Sequence, residues 1–217
     1  MTPDVGVSLA DLESLAGEDN LTLLGACATR PDDGLGIGTL CLLGPSEPGF
    51  WAHFTKSNEY RDSRPDPMDR WSRRVVETLS EKVGGSALFP FGDPARPFID
   101  WALRSGAHAS PVTLLVHQVT GLWLSYRGAV LLPGLPPLEA ATSSPCPTCA
   151  QPCRTACPAD ALTADGYDLG RCHAYLNTAP GADCMNRGCV VRRACPAGAG
   201  YLRSEAQSAF HMRAFHP

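Results

Sequence analysis

Residues 146–158 read Cys-Pro-Thr-Cys-Ala-Gln-Pro-Cys-Arg-Thr-Ala-Cys-Pro, and this stretch decides how the C-terminal part of the chain folds. It holds four cysteines, and four more follow over residues 172–195, the last again in front of a proline. Together these are eight of the ten cysteines of the chain: Cys146, Cys149, Cys153, Cys157, Cys172, Cys184, Cys189 and Cys195. So many thiols in a short segment predict a metal site, a redox site or a set of disulfide bonds.

The spacing of these thiols is typical of bacterial ferredoxins with two clusters, in which closely spaced cysteines end in Cys-Pro. Each iron takes one terminal thiolate, so a four-iron cube needs four cysteines, and the cysteine before the proline serves the other cluster. The pattern predicts one [4Fe-4S] site formed by Cys146, Cys149, Cys153 and Cys195 and a second formed by Cys157, Cys172, Cys184 and Cys189. The spacing is stretched between Cys149 and Cys153, and more so between Cys184 and Cys189, so the first site fits the pattern better.

Zinc is the strongest alternative, because it also binds four cysteines and uses Cys-x-x-Cys spacing. Only Cys146 and Cys149 have that spacing, whereas zinc ribbons usually carry two such pairs. His173, next to Cys172, is interpreted as a neighbour of the site rather than as a ligand. Five arginines among the cysteines are interpreted either as solvated surface or as compensation for cluster charge: Arg154, Arg171, Arg187, Arg192 and Arg193.

The composition suits one ordinary core with a small appendage, or two small domains, since the 217 residues are 44% hydrophobic and 18% charged. Residues 1–20 carry acidic side chains where a secretory signal would be positive, and no apolar run approaches the roughly 18 residues of a membrane span. We therefore expect a cytoplasmic protein with no membrane partner. In that reducing compartment metal binding or redox chemistry is favoured over disulfide bonds.

The charge is unevenly distributed. The net charge is −4, but residues 146–217 hold 7 Lys and Arg against 5 Asp and Glu, while residues 1–145 hold 11 against 17. A mildly basic cysteine segment favours an anionic cluster or an acidic redox partner protein. It falls far short of the charge of nucleic-acid-binding domains, so we expect no nucleic acid partner.

The first 140 residues alternate between strand and helix patterns, which predicts a mixed α+β domain rather than a helical bundle. Apolar runs bounded by turn residues predict strands over 21–29, 38–44, 86–89, 112–117, 122–126 and 129–132. Helices are predicted over 11–16, 50–55 and 98–104. The clearest helix begins at Pro67 with Asp66 as N-cap and buries one face: Met68, Trp71, Val75, Leu79 and Val83. Cys27 and Cys41 lie among apolar residues and are expected to be buried and inert.

A proline-rich linker over residues 133–145 is predicted to join a domain over 1–140 to a cysteine-rich domain over 141–217. The cysteine-rich domain is predicted to end in a docked helix. Ser204 to Gln207 have the form of a capping box, and Ala206, Phe210 and Ala214 recur on one helical face.

Two segments of the cysteine-rich domain resemble a known family. Residues 157–162, Cys-Pro-Ala-Asp-Ala-Leu, and residues 167–176, Tyr-Asp-Leu-Gly-Arg-Cys-His-Ala-Tyr-Leu, resemble the ferredoxin-like C-terminal domain of epoxyqueuosine reductase. The resemblance implies two [4Fe-4S] clusters that deliver electrons to cobalamin. The catalytic acid and the glycine-rich segment of that enzyme are not found in this sequence.

Residues 117–134, His-Gln-Val-Thr-Gly-Leu-Trp-Leu-Ser-Tyr-Arg-Gly-Ala-Val-Leu-Leu-Pro-Gly, are similar to the core of the CblC-type vitamin B12 processing protein, as is Asp66-Pro-Met-Asp69. This similarity implies a nitroreductase-like α+β fold that binds cobalamin. It implies these cofactor-binding residues: His117, Trp123, Tyr126, Arg127 and Gly128.

The same residues also suit purely structural roles. A tight turn, two core aromatics and an arginine paired with a carboxylate would produce this segment, and a lone His117 at a strand end is more often a satisfied core residue than a ligand. Asp66 and Asp69 are better explained by helix capping and the helix dipole than as a carboxylate pair.

The leading functional hypothesis is an iron-sulfur electron-transfer protein that passes electrons to a cofactor or substrate on the N-terminal domain, with oxidoreductase activity left open. The [4Fe-4S] clusters reach about −700 mV, low enough for a corrinoid acceptor. A corrinoid-processing protein or cobalamin-dependent reductase is the second hypothesis. A zinc-stabilised interaction protein is the third.

Overall fold

A computed structural model describes residues 8–134 and 143–217. The described residues belong to two units, one formed by 8–106 with 125–134 and the other by 107–124 with 143–217. The predicted division into 1–140 and 141–217 does not separate these units, because residues 107–124 belong with the cysteines. Most of the predicted linker, residues 135–142, lies outside the described residues. No helix within the described ranges is long and apolar enough to cross a membrane.

Helices and strands alternate along the chain, which gives the mixed α+β architecture that the sequence predicted. Short 3₁₀ turns occur at residues 31–33, 152–154 and 196–201. The other elements are α1 (Leu9–Glu18), β1 (Leu21–Ala28), β2 (Thr39–Pro45), α2 (Phe50–Phe54), α3 (Asn58–Arg61), α4 (Pro67–Lys82), β3 (Ser86–Leu88), α5 (Phe98–Arg104), β4 (His108–Ala109), β5 (Leu115–Val116), β6 (Gly128–Leu132), α6 (Leu169–Leu176), α7 (Ala182–Arg187), α8 (Val190–Arg193) and α9 (Glu205–Phe215).

The first unit is built on an antiparallel sheet with the strand order β1-β2-β6-β3. Every residue of β2 is buried, as the near-continuous apolar run over 38–44 predicted for a strand covered on both faces. Cys41 in β2 and Cys27 in β1 are both buried, which confirms their predicted place in the core. Burial raises the pKa of Cys41 to about 12, so its thiol stays protonated and unreactive.

Helix α4 has the predicted start and the predicted buried face. Pro67 occupies the first helical position, where no backbone donor is needed, and the five apolar residues named for this face are all buried. Trp71 packs edge-on against Phe50 at a ring distance of 5.4 Å. Asp66 takes the N-cap position with a φ of 52°, but among the described contacts its side chain makes no capping hydrogen bond. The predicted capping role of the Asp66 carboxylate is therefore wrong.

The strand predicted over residues 122–126 is wrong, and the one predicted over 112–117 is much shorter. Only Leu115–Val116 pair as a strand, with His108–Ala109. The backbones of His117 and Gly121 then bond to each other in both directions, at 3.1 and 2.8 Å, and close a turn. Leu122 and Leu124 are buried after this turn without regular structure. Periodicity alone does not distinguish a buried strand from a buried turn in so short an apolar run.

Helix α9 ends the second unit, as predicted, with the Ser204 hydroxyl accepting from the Gln207 backbone. The predicted buried face is wrong, because Ala206 and Ala214 are exposed while Gln207, Ser208 and Ala209 are buried. The reason is a close backbone approach: a Cβ added to Gly188 would lie 2.8 Å from the Ser208 Cβ. This close contact requires a small side chain at position 208. The buried face of α9 is therefore not marked by a row of large apolar residues.

A buried ion pair that the sequence did not reveal stabilises the first unit. The Asp33 carboxylate accepts from Arg104 Nη2 at 2.7 Å and from Trp101 Nε1 at 2.8 Å, and the side chains of Asp33 and Arg104 are only 5% and 9% exposed. Burial alone would raise the pKa of Asp33. The hydrogen bonds from the Arg30 backbone, Trp101 and Arg104 outweigh burial and hold that pKa below its usual range.

Asp33→Asn is expected to lower the free energy of unfolding of the first unit by about 3–5 kcal/mol, because it removes the buried carboxylate of the pair and leaves the buried Arg104 guanidinium with only the more exposed Asp100. Since the folded pKa of Asp33 is lowered, its stabilisation is complete above about pH 4 and is lost as the pH falls through the folded value. Denaturant unfolding at several pH values should therefore show the largest difference at neutral pH.

Asp100→Asn is the matched control for this substitution. Asp100 also pairs with Arg104, at 2.8 Å, but its side chain is 54% exposed, so we expect a loss of about 0–1 kcal/mol. Equal losses in the two variants would contradict a special role for the buried pair.

Candidate metal centre

The first predicted cysteine group lines one cavity. Cys146, Cys149 and Cys153 lie on the turns before and within the 3₁₀ segment at 152–154, and Cys195 follows α8. All four line a cavity of about 420 Å³. The wall is completed by residues that include Val116, Leu122 and Pro196. Three cysteines that are close in sequence and one that is distant in sequence thus line the same cavity. Residues 107–124 supply apolar side chains to its wall.

The thiols of this first group also interact electrostatically. Burial raises the pKa of the Cys146 thiol, and the nearby thiols of Cys195 and Cys149 raise it further. Burial likewise raises the pKa of Cys153, and the other three thiols of the group add to this effect. Metal binding must therefore displace protons from these thiols, because the thiolate is the form that binds.

The turn around Gln151 holds the first group in shape. Gln151 has a left-handed backbone with a φ of 54°, which aims its N–H at the Cys149 Sγ at 3.2 Å. Its side-chain amide donates to the Cys146 carbonyl at 3.1 Å. Backbone donors of this kind stabilise negative charge on a ligand sulfur. One residue therefore both shapes the loop and supplies a donor to a sulfur.

The second predicted group is assembled from α6, α7 and the loops beside them. Burial raises the pKa of the Cys172 thiol, and the thiols of Cys189 and Cys157 raise it further. Burial also raises the pKa of the Cys184 thiol, and the nearby Cys189 thiol raises it further. Cys146, Cys149, Cys153 and Cys195 thus share one cavity, and Cys189 is an electrostatic neighbour of both Cys172 and Cys184.

Three polar hydrogens point at sulfurs of the second group. The Tyr167 hydroxyl donates to the Cys172 Sγ at 3.2 Å, and the Ala161 N–H donates to the Cys157 Sγ at 3.3 Å. The Val190 backbone, at the start of α8, donates to the Cys184 thiol. The donors therefore reach three of the four cysteines in this group.

Ligand spacing distinguishes a single ion from a cluster. Four thiolates on one zinc ion lie about 3.8 Å apart, as follows from a Zn–S bond of about 2.3 Å. A four-iron cube puts a different iron behind each thiolate and so holds the thiolates farther apart. Within residues 8–134 and 143–217, no group of three or more His, Cys, Asp or Glu side chains is arranged to hold a metal ion.

A hydrophobic core packs against cysteines of both groups. Its buried members are Val112, Val116, Leu122, Cys153, Leu162 and Val191. The thiols of Cys146 and Cys195 from the first group and Cys157 and Cys189 from the second pack on this core. Residues 112–122 thus contribute buried apolar side chains that pack beside cysteines of both groups. The prediction of a domain boundary near residue 140 did not anticipate this contribution.

The predicted cofactor-binding residues are divided between the two units. His117 and Trp123 belong to the second unit, whereas Tyr126, Arg127 and Gly128 belong to the first. His117 is 9% exposed, and its Nδ1 accepts from the Val119 N–H at 3.3 Å. Burial lowers the pKa of His117, and the nearby His108 lowers it further. His117 is thus a neutral histidine that closes the turn.

Trp123 packs inside the cysteine-rich unit. A Cβ added to Gly188 or Gly198 would lie 3.0 or 3.2 Å from its indole, and the Arg203 guanidinium lies 5.3 Å from its ring centre. Both glycines flank cysteine-bearing segments. Trp123 therefore joins residues 107–124 to the segments that carry Cys189 and Cys195.

The other three predicted residues take structural positions in the first unit. Gly128 begins β6, where an added Cβ would lie 3.1 Å from the Leu88 carbonyl oxygen. Tyr126 is buried, which raises its pKa. Burial raises the pKa of Asp69, and the Arg127 guanidinium opposes that rise, so the two side chains are electrostatic neighbours. These positions match the alternative reading of core aromatics and an arginine facing a carboxylate.

The arginines among the cysteines differ in their contacts. Arg187 and Arg193 both pair with Asp183, and Arg187 also pairs with Glu205 at 2.6 Å. Arg192 instead points into the unit and donates to the Leu122 carbonyl. Arg154 and Arg171 are exposed.

His173 bonds to another histidine. Its Nδ1 lies 2.8 Å from the His216 Nδ1, and the His216 Nε2 lies 3.0 Å from the Asn177 Oδ1. The ring of His173 also packs on Phe215 at 4.8 Å. His173 therefore links α6 to the end of α9, in keeping with its interpretation as a neighbour of the site.

Comparison with known proteins found no matching family model, no similar curated protein and no similar solved structure. Function is therefore inferred from the two cysteine groups and from the residues that contact them.

Proposed function

We propose that this chain is an iron-sulfur electron-transfer protein whose eight C-terminal cysteines bind two [4Fe-4S] clusters. One observation carries the proposal: Cys146, Cys149, Cys153 and the distant Cys195 line a single cavity. This is the division of ligands expected when the cysteine of a Cys-Pro pair serves the other cluster.

The surroundings of both groups also fit such clusters. Each cluster, when bound, would accept and release single electrons. The chain supplies thiolates, N–H and O–H donors to the sulfurs from residues such as Gln151 and Tyr167, and an apolar core that packs beside cysteines of both groups. Donors and burial of this kind set the reduction potential of a cluster.

The second unit is proposed to be a ferredoxin-like electron carrier, and the first unit to be a nitroreductase-like platform for a redox partner or an acceptor. We do not extend the proposal to cobalamin. Of the residues expected to bind it, His117 and Trp123 have packing roles in the cysteine-rich unit, and Tyr126 and Gly128 lie in the other unit.

Anaerobic purification followed by iron and sulfide assays tests the proposal. We expect about eight irons and about eight acid-labile sulfides per chain, from two four-iron cubes. The same sample exposed to air serves as a control, because oxidised clusters lose sulfide while a zinc site carries none. Zinc in place of iron, with no sulfide before exposure, would contradict the proposal and support the zinc-stabilised interaction protein.

A further inference from the structure

Residues 107–124 form a small structure whose backbone bonds are internal. The strand pair of His108–Ala109 and Leu115–Val116 lies inside this segment, and so does the turn in which His117 and Gly121 bond to each other. The other backbone hydrogen bonds described for these residues also begin and end within the segment. A two-stranded pair of this length is at best marginally stable by itself in water. The order of the segment therefore depends on packing against the rest of the second unit.

Side chains attach this segment to the parts of the chain that carry the cysteines. Val116 and Leu122 are each 1% exposed, and both line the cavity of the first cysteine group. The Arg192 guanidinium donates a hydrogen bond to the Leu122 carbonyl. The apolar side chains that dock the segment are thus the same side chains that border the four thiols of the first group.

Docking of the segment and metal binding at the first group are coupled. The free energy of binding a metal to a site made from separate segments is also free energy of folding, because the site does not exist in the unfolded chain. Here the separate segments are residues 146–153 and the loop at Cys195, and Val116 and Leu122 lie beside them in the cavity wall. Linkage is reciprocal, so docking and metal binding strengthen each other by the same factor.

We propose that occupancy of the first cysteine group holds residues 107–124 docked in the second unit, and that loss of metal from this group alone releases the segment. Release exposes Val112, Val116 and Leu122, which are at most 1% exposed while the segment is docked. The first cluster then has a structural role in addition to electron transfer. This inference rests on the proposed function.

Cys149→Ala tests the inference through hydrogen exchange of the anaerobic protein, followed by mass spectrometry. Cys149 lines the cavity but is not among the described members of the apolar core to which residues 112–122 contribute, so the substitution removes a ligand and keeps that packing. We expect the amides of His117 and Gly121 to exchange about 5- to 150-fold faster than in wild type, the usual range for coupling between sites. The amides of β2, in the first unit, should keep their wild-type rates and show that the variant is folded.

Cys172→Ala is the matched control. Cys172 belongs to the second group, is half-buried like Cys149, and is likewise not among the described members of that core. This variant should lose metal from the second group and keep the wild-type exchange of the His117 and Gly121 amides. Wild-type exchange in Cys149→Ala, or equal acceleration in the two variants, would overturn the inference.

A reciprocal experiment keeps the inference testable if Cys149→Ala does not fold. Leu122→Ala weakens docking, so in the Cys172→Ala protein it should speed the loss of the remaining irons to a chelator. Val119→Ala is the control, because Val119 lies on the same turn but is 62% exposed. We expect the Leu122 variant to lose iron at least about fivefold faster than the Val119 variant. Equal rates would overturn the inference.

Iron content separates failure of the inference from failure of the proposed function. A wild-type protein without iron or sulfide would defeat the proposed function itself. With both clusters present in wild type and the first cluster lost from Cys149→Ala, the amide exchange rates decide on the inference.

Discussion

Cys184→Ala is expected to lose about four of the eight irons while the first group keeps its four. Cys184 is buried on α7 and interacts with Cys189, the thiol that also acts on Cys172. Alanine removes the thiolate without adding bulk, so one iron of the second cube loses its protein ligand. Iron and sulfide assays on the anaerobically purified variant, with the spectrum of the remaining cluster, measure the result.

Two further variants complete the test of ligand division. Cys153→Ala should remove the other four irons, because Cys153 lines the cavity of the first group. Cys41→Ala, which removes a thiol buried in the sheet of the first unit, should keep all of the iron. Loss of all iron from Cys184→Ala, or of none, would mean that the thiols are divided differently.

Gly121→Ala is expected to destabilise the second unit by about 2–5 kcal/mol, from roughly 1–2 kcal/mol for a left-handed backbone and roughly 1–3 kcal/mol for overpacking. Gly121 has a φ of +55°, and an added Cβ would lie 2.3 Å from the Gly198 backbone nitrogen. The atoms that the added Cβ would meet belong to the backbone of Ala197 and Gly198, so they cannot move aside as the end of a side chain would. The midpoint of denaturant unfolding of the anaerobic protein measures the loss.

The effect should reach the first cysteine group, because Val116 and Leu122 flank this turn and line its cavity. We therefore expect Gly121→Ala to lose iron from the first group faster than wild type in air. Gly200→Ala is the control in the same unit, since an added Cβ there would meet nothing within 4 Å. A Gly121→Ala protein with wild-type stability and iron retention would show that this close approach is unimportant.

Elements with strong local signals could be predicted from the sequence. The apolar run of β2 and the periodic apolar residues of α4 each require burial of a continuous surface, and both elements form where expected. In each case the information lies within a few neighbouring residues.

Features that depend on distant residues could not be predicted. Asp33 and Arg104 pair across 71 positions of sequence, and neither carries a local mark of burial. Residues 107–124 join the cysteines through the approach of Gly121 to Gly198 and the bond from Arg192 to Leu122. A glycine and an arginine are common on surfaces, so their packing role becomes visible only in three dimensions.

The predicted cofactor set shows the same limit. The resemblance to the CblC-type protein implied one site formed by residues that are close in sequence: His117, Trp123, Tyr126, Arg127 and Gly128. The chain passes from one unit to the other between Leu124 and Ser125, so residues that are neighbours in sequence belong to different units.

The mass of the intact, anaerobically purified protein under native conditions tests the central claim most directly. We predict a mass above that of the 217-residue chain by two Fe₄S₄ units. The Cys184→Ala protein should carry one such unit. A wild-type mass increased only by zinc ions, or not increased at all, would contradict the assignment of these eight cysteines to two iron-sulfur clusters.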